Sequence, residues 1–174
     1  MKSFWNSYYE QAHKKQFLIV TGLICFASQI TIMNIVHPLN SLVVLQLQTS
    51  FSPDQFLEII RQWESAGLLH YYHEHFFFDN VHPVWYGFFI SSLLAFSFHR
   101  LNFDSKYLVY LAAPFIAGMC DMVENLFHYW FLADLSRVTI LPVSISAIFC
   151  LVKWVLLLGS FFFVFYHLIK GKSN

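Results

Sequence analysis

The chain has 174 residues, 57% of them hydrophobic and only 11% charged, and a formal net charge of zero. That balance leaves too little polar surface for a water-soluble globule and places the chain in a bilayer. Without a basic tract interleaved with aromatics, nucleic acid is excluded as a partner.

Four apolar runs, at about 17–36, 81–99, 107–130 and 140–167, are each long enough to cross a ~30 Å hydrocarbon core at 1.5 Å per residue. They predict an all-α, four-helix transmembrane bundle forming one multi-pass domain over residues 1–174. The first run follows Lys2, Lys14 and Lys15, but it exceeds the apolar stretch of a signal peptide and lacks a small-x-small cleavage site, so it reads as a retained anchor. Lys2, Lys14, Lys15, Arg100, Lys106, Lys170 and Lys172 fall on one side of the four runs, against Arg61 and Arg137 on the other. The asymmetry predicts cytoplasmic termini and an outward segment at 37–80.

Within that segment SLVVLQLQTS, with its Gln46 and Gln48 alternation, suits a short extended piece. Ser52-Pro53-Asp54-Gln55 then starts a helix, with Ser at the N-cap, Pro at the first helical position and Gln able to reach back to orphaned backbone donors. Gly67 is its stop. Phe56, Ile60 and Trp63 form one stripe, away from Asp54, Glu58, Arg61 and Glu64. Such an amphipathic helix either lies in the membrane interface with Trp63 at headgroup level or packs on the outer loops of the bundle. A second helix is expected from about Leu68 into the second span, bent at Pro83.

The stretch from His70 to His82 holds four histidines and two carboxylates in thirteen residues. His70, His73 and Glu74 share one helical face, and His75, Asp79 and His82 another. The order H-E-x-x-H is missing and aromatics interleave the tract, as in an interface belt, so no metal and no cofactor is expected. Asp79 and His82 are assigned to a buried cluster, with His70, His73 and His75 nearer water.

The third run carries Asp121, Glu124, Asn125 and His128, spaced so that all four share one helical face together with Pro114 and Gly118. Charged groups at that depth cost at least ~2.5–3.5 kcal/mol each, which marks them as functional or as structural glue. Lys153 is the matching anomaly in the fourth run. Helix rise puts Asp121 and Lys153 at about the same depth, roughly 21–23 Å from the inner face, so an antiparallel contact would let Lys153 pair with Asp121 or Glu124. Asn34 and His82 fall level with Glu124 by the same arithmetic. Cys25, Cys120 and Cys150 lie singly in three runs, without the C-x-x-C of a disulfide-exchange enzyme, and read as packing residues.

The order L-x-L-x-x-x-F-S-P-D-Q, Tyr72, Asp79, Pro83, Tyr86-Gly87, Asp121-x-x-Glu124-Asn125 and Lys153-Trp154 resembles a group of small four-span, mostly bacterial membrane proteins over residues 45–160. The resemblance implies a bacterial inner membrane, or alternatively an endoplasmic-reticulum-type one, and adds Tyr86 to the shared polar set. It implies no activity, and the histidines lie outside it.

The functional expectation is an outward-opening polar cavity acting on a lipid or isoprenoid. Asp121 or Glu124 would serve as acid or base, His82 or His128 would assist, and Lys153 would stabilise charge. Asn34, Asp79, Tyr86 and Asn125 would line the cavity. Membrane lipids are then the partner. The alternatives are a non-catalytic scaffold or accessory subunit, and a proton or solute carrier, which in four short spans needs a homo-oligomer or another membrane protein. Neither G-x-S-x-G nor G-x-G-D occurs, which sets aside serine and aspartyl intramembrane proteases.

The orientation is testable with single cysteines. A thiol introduced at Ser65 should react with an impermeant reagent from outside, and one at Ser173 only after permeabilisation; the reverse pattern would invert the topology.

Overall fold

A backbone in hydrocarbon has to satisfy its own hydrogen bonds, which favours helix throughout. The computed structural model describes residues 2–170 and contains no strand among them. Lys172 and Ser173, used above for orientation and labelling, lie outside the described residues. The helices are α1 (Lys2–Ala12), α2 (Lys15–Val36), α3 (Ser41–Gln48), α4 (Pro53–Ser65), α5 (Leu69–Asp79), α6 (His82–Leu101), α7 (Ala113–Ala133) and α8 (Ile140–Lys170), with 3-10 turns at His37–Leu39, Ser105–Ala112 and Leu135–Arg137. Three segments are long and apolar enough to cross a membrane: α2 with its following turn, α7 with its preceding turn, and α8. α5 and α6 add a fourth when taken together, bent by 49° between them.

α6 is the hub, packed against α2, α7 and α8, while α7 and α8 form the most extensive pairing. α2 and α8 flank α6 without a substantial contact of their own, and a gap runs between them. The approach of α6 to α7 depends on Gly118, where an added Cβ would stand 3.1 Å from the Pro83 carbonyl oxygen and 3.3 Å from its Cβ.

The outward segment is more helical than its sequence suggested. Residues 41–48 form α3 and not an extended piece. Asn40, at φ 63°, turns the chain and accepts a hydrogen bond from the Leu42 N–H at 3.1 Å, and Val44 and Leu47 are buried at helical spacing. The Gln46 and Gln48 alternation was a by-product of that spacing.

α4 begins as expected, with the Ser52 hydroxyl accepting from the Gln55 N–H at 3.3 Å and Pro53 in the first turn. The reach back differs. Ser50 stands between, its hydroxyl accepting from the Ser52 N–H at 3.1 Å and donating to Gln55 Oε1 at 2.7 Å. At the other end Gly67 has φ +69°, and Leu68 N–H to Trp63 C=O with Gly67 N–H to Glu64 C=O close a Schellman motif.

Phe56, Ile59, Ile60 and Trp63 of α4 are buried in one apolar cluster with Tyr72, Phe76, Phe131 and Val143, leaving Asp54, Glu58, Arg61 and Glu64 exposed. The stripe therefore packs on protein. The interfacial placement is corrected, because a buried stripe has nothing to offer to headgroups.

The bend falls at Asn80 and Val81, and Pro83 sits in the first turn of α6, where its missing N–H costs no helix hydrogen bond. α1 was not anticipated, being too polar for a span. It packs through Trp5, Tyr8, Tyr9 and Ala12 against a cluster that includes Leu94, Phe98 and Leu111.

Two helical glycines give a paired test. Gly118→Ala should lower thermal stability, by about 1–3 kcal/mol for an overpacked site, because the obstructing atoms include backbone. Gly159→Ala, with nothing within 4 Å of its added Cβ, should leave stability unchanged or raised. Equal tolerance of both would contradict the α6–α7 packing.

Candidate functional site

The face of α7 that carries Asp121, Glu124, Asn125 and His128 is buried throughout. Lys153 of α8 comes down between the first two, its Nζ donating to Asp121 Oδ1 at 2.8 Å and to Glu124 Oε2 at 2.7 Å. Depth matching had suggested one acid opposite the lysine; the geometry has two, because Asp121 and Glu124 are one helical turn apart. The Tyr86 hydroxyl of α6 donates to the other Asp121 oxygen at 3.0 Å, and the Cys150 thiol lies beside Glu124.

A second string starts from Asn125, whose amide donates to Asp79 Oδ2 at 2.8 Å. Asp79 in turn lies 3.9 Å from His75 Nε2. His75 Nδ1 donates to the Tyr72 carbonyl, which fixes the proton on that nitrogen of the neutral ring and leaves Nε2 as an acceptor. The Tyr72 hydroxyl is hydrogen bonded to His128 Nδ1 at 2.6 Å, and Phe56 of α4 meets the His128 ring edge-on at a centroid distance of 5.2 Å. The α4–α5 hairpin thus closes over the polar face of α7.

His82 is buried, with its Nδ1 3.0 Å from the Ser28 hydroxyl of α2. The structure therefore brings together eight of the residues singled out from sequence: Asp79, His82, Tyr86, Asp121, Glu124, Asn125, His128 and Lys153. It does not bring in Asn34, which is exposed and lines no part of the site. Helix rise gives height along a helix but not direction around it, and Asn34 points away while Ile32 and Val36 on either side of it face inward.

His75 is the converse correction. It is 2% exposed and not near water, unlike His70 and His73. Its spacing carried the signal, since Tyr72, His75, Phe76 and Asp79 recur at helical intervals on one face of α5. Among the described residues no three His, Cys, Asp or Glu side chains converge on a point.

These groups form one end of a cavity of about 540 Å³ in the gap between α2 and α8. His75, Asp79, His82, Tyr86, Asp121 and Lys153 supply polar wall; Phe89, Ile90, Leu157 and Phe161 are among the apolar residues that supply the rest. Glu124 and His128 are not walls but stand behind it. The mouth is lateral, between two helices apolar enough to cross a membrane, and is rimmed by exposed Phe26, Leu158 and Phe161. α3, packed on α2 and α8, adds Val44 and Gln48 to the lining.

No family model, curated protein or solved structure matches the chain, and the site's chemistry rests on its own geometry.

Lys153 allows a direct test of the charge arrangement. Lys153→Met leaves two buried carboxylates without their cation and should destabilise the protein by about 3–5 kcal/mol, whereas adding Asp121→Asn and Glu124→Gln should recover most of the loss. A Lys153→Met protein as stable as the parent in denaturant titration would contradict the double pairing.

Proposed function

We propose that the protein is a four-span membrane enzyme, with both termini cytoplasmic, that performs acid/base chemistry on a lipid or isoprenoid. The observation that carries this reading is a set of carboxylates, imidazoles and a lysine gathered at one end of an otherwise apolar cavity that opens sideways between α2 and α8. A substrate with a long chain would enter from the hydrocarbon without crossing water and bring its polar end to the cluster.

The roles follow from which atoms reach the cavity. Asp79, His82 and Asp121 stand at its wall, so they are the groups positioned to take or give a proton. Lys153 Nζ donates to Asp121, while Asp79 is held by one amide, and such unequal surroundings separate an acid from a base. Tyr86 and Asn125 orient the two carboxyls, and Glu124 and His128 act from behind. This shifts the proton-transfer roles from Glu124 and His128 toward Asp79.

A scaffold reading is favoured by one observation: Lys153 bridges two acids and ties α8 to α7, a geometry that fixes helix register whether or not chemistry follows. Lipid extracts separate the two. Cells lacking the gene should accumulate an amphiphile that the parent protein removes, and Asp79→Asn, expressed at the same level, should remove it about 10²–10⁴-fold more slowly. Extracts restored equally by parent and variant would leave the scaffold role.

A further inference from the structure

Asp79 Oδ2, which accepts from the Asn125 amide at 2.8 Å, stands 3.9 Å from His75 Nε2. Both are acceptors, the carboxylate by charge and the imidazole because its proton is committed to the Tyr72 carbonyl. His75 is 2% exposed and its Nε2 has no hydrogen-bond partner, although the ring is part of the cavity wall. A buried acceptor without a partner, as His75 Nε2 is, is costly, and the group that would satisfy it is a donor.

The charge balance says which kind. Lys153 is shared between Asp121 and Glu124, so the one buried cation of the cluster is already committed. Asp79 is left with a neutral amide as its donor, and its side chain is 14% exposed, at the cavity. In a low-dielectric site an unbalanced carboxylate favours a cation that also donates hydrogen bonds.

The rest of the cavity is apolar for a chain's length. From the polar end, Phe89, Ile90, Leu157 and Phe161 run toward the lateral mouth, and the volume of about 540 Å³ lies in the range of small-molecule sites. We propose that the cavity binds an amphiphile with a cationic amine head, its N–H groups shared between Asp79 and His75 and its chain lying along these four residues. The inference rests on the reading of the cavity as an amphiphile site and adds the chemistry of the headgroup.

Trp154 lines the same cavity and reports on its occupancy. In full-length protein held in phosphatidylcholine nanodiscs, a long-chain alkylamine brominated on its chain should quench tryptophan fluorescence saturably, and Trp154→Phe should remove the saturable component. The brominated alcohol and carboxylate of equal chain length should bind at least about tenfold more weakly than the amine. Asp79→Asn should abolish that preference. The headgroup comparison needs only the parent protein, so it decides the matter even if the variant does not fold. If none of the three probes quenches Trp154, the amphiphile site itself is overturned; if the alcohol or carboxylate binds as tightly as the amine, the cationic headgroup alone is overturned.

Discussion

The buried polar cluster of this protein is arranged around one lysine held between two acids. Lys153 Nζ stands 2.8 Å from Asp121 and 2.7 Å from Glu124, all three nearly shielded from solvent. Charges taken out of water lose several kcal/mol of solvation each, so such a group persists only where geometry is close and other lone pairs are met. The surroundings supply this in part: Tyr86 donates to Asp121, and the Cys150 thiol lies beside Glu124. The same constraint sets α8 against α7, because the lysine reaches both acids only when the helices hold one register.

From that point the fold can be followed outward. Pro83 comes near enough to α7 only because position 118 has no side chain, which brings the start of α6 against the acidic face. Asp79 at the end of α5 then meets Asn125, and Tyr72 meets His128. Phe56, Ile60 and Trp63 cover this junction from α4, so the amphipathic helix serves as a cap on the polar cluster. α2 leans on α6 but not on α8, and the space left between them gives the cluster its apolar cavity.

Much of the site was legible in the sequence because helical spacing carries direction. Asp121, Glu124, Asn125 and His128 announce a face, and rise arithmetic sets Lys153 at the height of Asp121. Height alone says nothing of direction around a helix, and there the reading failed for Asn34 although it held for Lys153 and His82. The extended reading of 41–48 failed for a related reason: two glutamines at alternate positions imitate a strand, whereas Val44 and Leu47 carry the helical burial. His75 was obscured by its neighbours His70 and His73, although its own face, shared with Tyr72 and Asp79, was already written in the spacing. The lateral mouth had no signal in the sequence, since it arises from the lack of substantial contact between α2 and α8. α1 was missed because a surface helix with a narrow aromatic stripe lacks the length of a span.

The central claim is the shared lysine, and solid-state NMR of the protein in lipid tests it most directly. With ¹⁵N in the lysine side chain and ¹³C in aspartate and glutamate carboxyls, Lys153 should show an ammonium ¹⁵N shift and dipolar coupling to both the Asp121 and Glu124 carboxyl carbons. A neutral amine at Lys153, or coupling to neither carboxyl, would contradict the account.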